Sequence, residues 1–127
     1  MTENNVYKVM RAEEWEEALL TGSIISDVDK RDGFIHLSTA LQLAATLYFF
    51  FKDSETAFLL QLDMKKIEKD KLIFEEPIPN DGLRKGSFPH LYSELTTDQI
   101  LKFWPIERGA FILPQEVILQ AENEIGK

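Results

Sequence analysis

Hydrophobic residues along the chain occur in short runs whose spacing alternates between that of strands and that of helices. A run of β-favouring residues at 6–10 predicts a first strand. The next segment, 12–22, has apolar residues at helical spacing and a terminal glycine, which predicts an amphipathic helix. Its acidic residues are expected to face water. The apolar face of this helix is predicted to comprise Trp15, Ala18 and Leu19.

The later segments continue this alternation. Thr39 and Gln42 have the capping-box spacing, which predicts a helix to about Phe51, and Thr96 and Gln99 repeat the spacing before a short helix. The order of short strands and helices indicates an α+β fold. We also predict a loop at 29–33, strands at 34–38, 56–64 (central in its sheet), 72–76, 88–95, 102–106 and 110–114, a turn at 80–82, and a terminal helix from Gln115 with Val117, Leu119 and Ile125 as contacts.

Length and composition predict one globular domain over residues 1–127, with a core at about 6–113 and a tail at 115–127. Apolar residues make up 44% of the chain and charged residues 28%, a balance typical of folded proteins. The chain has no cysteine, which excludes a disulfide framework, a thiolate metal site and a cysteine nucleophile.

Charge and hydropathy predict a cytoplasmic protein that binds neither long nucleic acid nor membrane. The net charge of -8 repels phosphate backbones over long range, but a small local nucleotide site is compatible with it. The most apolar run, 41–51, is too short to span a bilayer. Residues 1–5 lack the basic and then apolar order of a secretory signal. We expect a monomer or a weak homodimer.

The first of the two histidines lies in "DGFIHLST", residues 32–39. If this segment is a strand, Phe34, His36 and Ser38 share one face. Ser38 and Thr39 then lie at the start of the next helix, where free backbone N–H groups favour an anion. Each hydroxyl residue is also an ordinary helix cap when taken alone.

The second histidine lies in "FPHLYSEL", residues 88–95, where His90 and Tyr92 share a face by the same alternation. A single histidine on a strand is more often structural than reactive. Two histidines in similar surroundings form a candidate reactive pair, with imidazoles that titrate near neutral pH. Strand order alone leaves open whether His36 and His90 meet.

These segments, together with "VYKVMRAEEWEEA", resemble the family of small bacterial proteins known as DUF952 over most of the chain, from Val6 to about Phe111. The resemblance implies a relation to proteins with the ADP-ribosyltransferase-like fold. The implied architecture is a split, strongly bent mixed β-sheet with short helices around a cleft. In such relatives the cleft holds NAD, which makes NAD a candidate substrate here.

The resemblance also implies roles for particular residues. His36, with Ser38 and Thr39, would bind a ribose, and Tyr92 or Tyr7 would stack on the nicotinamide. Lys8 is a further predicted ligand-binding residue, and His90 a further predicted catalytic one. Glu76 would supply the catalytic carboxylate, although only its residue type supports this role, as for Glu94 and Glu107. The arginine motif of one transferase subclass is absent.

Three functions remain open from the sequence. The first is an NAD- or nucleotide-handling enzyme of the ADP-ribosyl or phosphoribosyl type. The second is an enzyme that uses both histidines as an acid and base pair on a small phosphoester. The third is a non-catalytic module that binds a nucleotide or a protein partner. A metal site with two histidines and one carboxylate lacks any local spacing that supports it, so we predict no metal.

Overall fold

Within the described residues the chain forms seven strands and three α-helices. The computed structural model describes residues 5–51, 53, 55–76, 87–107, 114, 116, 117, 119 and 120. No helix in this part of the chain is long and apolar enough to cross a bilayer. The elements in order are β1 (Val6–Arg11), α1 (Ala12–Thr21), α2 (Asp27–Asp32), β2 (Ile35–His36), β3 (Ser38–Thr39), α3 (Leu43–Phe51), β4 (Thr56–Leu62), β5 (Leu72–Glu75), β6 (Phe88–Leu91) and β7 (Ile100–Glu107).

The strands form two sheets, and the α+β class is confirmed. One sheet has four strands in the order β3-β1-β4-β7, and the other has three in the order β2-β6-β5. Every pairing between the described strands is antiparallel, where a mixed sheet was expected. The apolar strand β4 lies inside the four-stranded sheet, as its continuous hydrophobicity predicts.

Hydrophobic cores lie on both faces of the four-stranded sheet. Because side chains alternate along β1, Val6 and Met10 enter one core while Tyr7 and Val9 enter the other. The first core also contains Ile35 and Leu91 of the three-stranded sheet, and its remaining buried members include Trp15, Ala18, Ile24, Leu60 and Leu95. This shared core holds the two sheets together at β2 and β6.

Several local predictions differ from the structure. Leu19 is 59% exposed, so the buried face of α1 is limited to Trp15 and Ala18. The predicted loop at 29–33 is mostly helix, because Ser26 caps a helical turn that Gly33 ends. The predicted strand at 34–38 is divided between two sheets, and the strand predicted at 88–95 ends at Leu91. The 80–82 turn, most of the 110–114 strand and Ile125 lie outside the described residues.

Candidate active site

His36 and His90 lie directly opposite each other on neighbouring strands. β2 pairs with β6 so that His36 faces His90 and Ile35 faces Leu91. The centroids of the two imidazole rings are 5.6 Å apart, and the rings meet at 62°. Since side chains alternate across a strand, both rings lie on one side of this sheet while Ile35 and Leu91 enter the core. The two histidine segments therefore meet at a single site.

Helix α2 supplies the carboxylates around His36. Ser26 caps this helix: its Oγ accepts a hydrogen bond from the N–H of Asp29 at 3.3 Å, and its own N–H donates to Asp29 Oδ2 at 2.9 Å. Gly33 ends the helix with a φ of 85°, a conformation that favours glycine, and leads the chain into β2. Because Asp29 and Asp32 are three residues apart, they share a side of α2, and both reach His36.

Both ring nitrogens of His36 face carboxylate oxygens. Nδ1 lies 2.8 Å from Oδ1 of Asp29, and Nε2 lies 2.9 Å from Oδ2 of Asp32. An ionised carboxylate only accepts, so both hydrogen bonds are complete when both nitrogens carry protons. The hydrogen bond from Arg31 holds the pKa of Asp32 below its usual value. Each ring nitrogen of His36 is thus positioned to donate a hydrogen bond to a carboxylate.

Asp29 is buried and forms an ion pair with Lys8. The Lys8 ammonium lies 2.8 Å from Oδ2 of Asp29 and donates to the backbone oxygen of His36 at 3.1 Å. Burial raises the pKa of Asp29, but the hydrogen bond from His36 and the charge of Lys8 outweigh burial and hold this pKa well below its usual range. The carboxylate that orients His36 is therefore ionised at neutral pH.

His90 is in a different environment from His36. Its side chain is only 3% exposed, and Nδ1 lies 2.8 Å from Oε1 of Glu75. Burial lowers the pKa of His90, and the hydrogen bond to Glu75 offsets this effect only in part. Hydrogen bonds from Tyr92 and His90 lower the pKa of Glu75 in turn. At neutral pH the ring is neutral, and its Nδ1–H donates to an ionised carboxylate.

The other nitrogen of His90, Nε2, is left with a lone pair. It has no hydrogen-bond partner among the described residues. In that part of the chain, Oε1 of Gln61 is the one fully buried side-chain nitrogen or oxygen without a partner, so Nε2 of His90 is not fully closed off from solvent. An unprotonated imidazole nitrogen of this kind can accept a proton from a bound molecule.

The aromatic ring of Phe34 packs against both imidazoles, and Tyr92 packs against Phe34. Phe34 stacks on His90 with ring centroids 4.1 Å apart and also lies 4.5 Å from His36. Tyr92 lies 5.3 Å from Phe34 and donates its hydroxyl to Oε1 of Glu75 at 2.6 Å. The Tyr92 residue is 44% exposed, so its ring forms the accessible edge of the site. Apolar neighbours of this kind strengthen the hydrogen bonds around His90.

The carboxylate that contacts His90 is Glu75, one residue before the predicted Glu76. In the β5–β6 ladder, Glu75 pairs with Phe88 and Ile73 pairs with His90, so Glu75 lies diagonal to His90 on the same face. Glu76 follows the end of β5 and is exposed. Alternation along the strand therefore explains why the first of the two adjacent glutamates reaches the histidine.

Ser38 and Thr39 belong to the other sheet, where β3 pairs with β1. The hydroxyl of Ser38 lies 2.8 Å from that of Thr46 in α3. The N–H of Thr39 donates to Oε1 of Gln42 at 3.0 Å, as the capping-box spacing predicts. Both residues therefore contribute to the start of the following helix, and their contact with an anion stays a prediction.

Tyr7 and Lys8 point to opposite faces of β1. Tyr7 is fully buried in the second core, and its hydroxyl donates to Oε1 of Gln120. Lys8 is 2% exposed and reaches the site from behind Asp29. Both side chains are buried, and their predicted contact with a ligand stays a prediction. Lys8 acts on the site through Asp29.

Four residues of the site were not among the predicted ones: Phe34, Glu75 and the two aspartates of α2. The aspartates were assigned to a loop because the segment is short, polar and ends in glycine. A signal was present, since Ser26 and Asp29 have the spacing of a capped helix and Asp32 follows at helical distance. In the described part of the chain, no three or more His, Asp or Glu side chains are grouped so as to hold a metal ion.

Comparison with known proteins identifies the family. The sequence model of "Protein of unknown function (DUF952)" matches residues 9–103. The crystal structure of protein CC0527 from Caulobacter crescentus is 28% identical, with 92% of this chain and 98% of that chain covered and a TM-score of 0.73. The solution NMR structure of CC0527 is also 28% identical, with 87% and 91% covered and a TM-score of 0.69. No curated protein matches. The chain therefore belongs to the DUF952 family.

Proposed function

We propose that the chain is an enzyme that uses His90 as a general base and His36 as a general acid on a small ester of the nucleotide class. The observation that carries this proposal is the pairing of two imidazoles with different hydrogen-bond partners across β2 and β6. His90 has a free Nε2, and both nitrogens of His36 face acceptors. One ring is thus suited to take a proton and the other to give one.

In the proposed reaction, Nε2 of His90 takes the proton of an attacking hydroxyl or water as that oxygen bonds to phosphorus. The bond from phosphorus to the leaving oxygen breaks, and Nε2 of His36 gives this oxygen its proton once the substrate displaces Asp32. His90 ends protonated and His36 ends neutral, so protons and charge balance. The reverse transfers through water restore the resting state.

The carboxylates and Lys8 act by positioning. Glu75 fixes the tautomer of His90 by accepting from Nδ1, and the hydroxyl of Tyr92 holds Glu75 in place. Asp29, which Lys8 neutralises, fixes the orientation of His36. This division of roles follows the general pattern in which a third group orients the catalytic base.

The charge around the histidines favours a small substrate over a polymer. Asp32 and Glu75 lie at the site as carboxylates, and the whole chain carries a net charge of -8. A nucleic-acid strand would meet repulsion along its length, whereas a small ester brings one phosphate to His36.

An NAD-handling activity is the second candidate, and the exposed ring of Tyr92 beside Phe34 is the observation that favours it. A planar nicotinamide could stack on Tyr92, and its positive charge suits the nearby carboxylate of Glu75. In this version Glu75, in place of the predicted Glu76, stabilises the developing charge on the ribose. This candidate is the one that the implied relation to ADP-ribosyltransferase-like proteins would favour.

The test is a turnover assay with bis(p-nitrophenyl) phosphate, nucleoside 2′,3′-cyclic phosphates and NAD. We expect hydrolysis of the phosphoesters with a bell-shaped pH profile, and a loss of about 10²–10⁴-fold in His36→Asn and His90→Gly. Added imidazole should restore part of the rate to His90→Gly, because the deleted ring leaves space beside Glu75. Glu13→Gln, an exposed acid on α1, serves as the control and should keep full activity.

Three results would contradict the acid–base proposal. Equal rates in the wild type and both histidine variants would remove the histidines from the reaction. Consumption of NAD without phosphoester hydrolysis would favour the second candidate. Binding of these compounds without turnover would indicate a non-catalytic module.

A further inference from the structure

A cavity of about 490 Å³ lies beside the histidine pair, at the ends of β2 and β6. Its walls come from α2, from the segment that precedes α2 and from the residues that follow β6. Phe34 and Tyr92 line this cavity; Phe34 also packs against both imidazoles, and Tyr92 packs against Phe34. The volume falls within the range of small-molecule sites, about 300–1,000 Å³. Neither histidine is among the described lining residues, so a ligand in this cavity meets the site through Phe34, which stacks on His90.

The lining of the cavity favours a net-neutral ligand with an apolar, planar part. Most lining side chains are aliphatic or aromatic, including Ile24, Ile35, Leu91 and Leu95 from the core. Lys30 and Glu94 bring one charge of each sign, and neither has an ion-pair partner among the described residues. The carboxylate of Asp29 is already satisfied by Lys8 and His36.

A dinucleotide does not fit this lining. A pyrophosphate carries two negative charges and needs several donors or cations around it. Among the described lining residues the one cation is Lys30, and Glu94 opposes it with a negative charge. A planar, uncharged ring meets no such penalty, because it can lie against Tyr92 and replace water along Ile25.

We infer that this cavity binds the non-reacting, net-neutral and planar part of the substrate, such as an uncharged base or aryl group, while the ester reaches the histidines. The inference rests on the proposed function and deepens it by naming the part of the substrate that determines specificity. Tyr92 has two roles in this arrangement, since its ring borders the cavity and its hydroxyl holds Glu75.

The experiment measures binding by methyl NMR in the His90→Gly background, so that it does not depend on turnover. The probes are indole, benzamide and ADP-ribose. We expect indole and benzamide to shift the methyl signals of Leu91 and Leu95, and ADP-ribose to leave them unchanged. Ser93→Phe fills the cavity and should weaken indole binding at least about tenfold. Ser93→Ala removes the same hydroxyl without filling the space and should change it by less than about twofold.

Ile25→Trp fills the cavity from its other wall and replaces Ser93→Phe if that variant does not fold. The inference is overturned if neither planar probe shifts these methyls, if both filling variants bind indole as before, or if ADP-ribose shifts the methyls more than indole does. Phosphoester turnover that is unaffected by Ser93→Phe would overturn the cavity's role but leave the proposed function standing. If the cavity binds indole but the wild-type protein hydrolyses no phosphoester, the binding site stands and the proposed function is overturned.

Discussion

At the scale of single residues, the site depends on the different environments of two identical side chains. His36 is held between Asp29 and Asp32, whereas His90 has the carboxylate partner Glu75 and an Nε2 with no hydrogen-bond partner among the described residues. Burial lowers the pKa of His90. Two groups of the same type in different environments are the usual arrangement of an acid and base pair.

The buried ion pair between Lys8 and Asp29 predicts a measurable stability effect. Asp29→Asn leaves the Lys8 ammonium buried without its counter-charge, so we expect a loss of about 3–5 kcal/mol in the free energy of unfolding at pH 7. Urea denaturation measures this loss. Asp27→Asn, an exposed acid on the same helix, is the control and should cost less than about 1 kcal/mol.

The pH dependence of this effect has a definite sign. The pKa of Asp29 is depressed in the folded chain, so its contribution is fully present above the unfolded pKa of about 3.9 and is lost as the pH falls through the lower folded value. The difference between wild type and Asp29→Asn should therefore shrink below about pH 4. A difference that stays constant from pH 7 to pH 3 would contradict a charged Asp29.

The alternation of side chains along a strand predicted some of the neighbours of the two histidines. The prediction that Phe34 shares a face with His36 agrees with the contact between their rings. The prediction that Tyr92 shares a face with His90 agrees with their hydrogen bonds to the same oxygen of Glu75. The choice between Glu75 and Glu76 could not be made, because it depends on the register between β5 and β6. That register is a long-range property and leaves no local signal in the sequence.

At the scale of elements, the six-residue helix α2 and its glycine determine where the carboxylates lie. Asp29 and Asp32 reach His36 because α2 ends at Gly33 and the chain enters β2 two residues later. Such a short helix gives weak periodicity in the sequence, and the polar residues with a terminal glycine indicated a loop. Longer elements such as α1 and β4 were predicted correctly, since each has a pattern over more than one turn or pleat.

Two glycines offer a matched test of this geometry. Gly33 and Gly22 end α2 and α1 with similar φ angles of 85° and 81°, and apart from the adjacent residues no described atom lies within 4 Å of a Cβ added at either position. We expect Gly33→Ala and Gly22→Ala to lower the free energy of unfolding by similar amounts, about 1–2 kcal/mol each, from the left-handed backbone alone. Thermal denaturation compares the two losses.

The two variants should differ at the site. Gly33→Ala is expected to shift the ¹⁵N signals of the His36 ring, because it alters the link between α2 and β2 that brings Asp29 and Asp32 to this ring. Gly22→Ala lies at the end of α1 and should leave the ring signals unchanged. Equal ring shifts in both variants, or none in either, would mean that α2 does not position His36.

At the scale of the whole molecule, the two sheets share a core but have different tasks. The four-stranded sheet buries apolar residues on both faces, while the three-stranded sheet contributes one face to the core and presents the histidines on the other. The sequence predicted most of the elements and the α+β class. It could not predict that residues 34–39 pass from one sheet to the other, because only the tertiary pairing of β2 with β6 and of β3 with β1 separates them.

The same limit applies to the meeting of the two histidines. They are far apart in the chain and come together through the β2–β6 pairing, while the described part of the segment between them includes β3, α3, β4 and β5. The similar sequence around each histidine suggested a shared site. The register between β2 and β6 places the two side chains next to each other.

The central claim is that His36 and His90 form one site in which His90 is the neutral partner, with its proton on Nδ1. The most direct measurement is a ¹⁵N NMR titration of the two imidazole rings, assigned with His36→Asn and His90→Gly. We expect His90 to titrate below the usual histidine value of about 6.5. At neutral pH its Nδ1 should carry the proton and its Nε2 should carry none. The ¹⁵N signals of the His90 ring should shift when His36 is replaced. A His90 ring that titrates at or above that value, carries its proton on Nε2, or ignores the loss of His36 would contradict it.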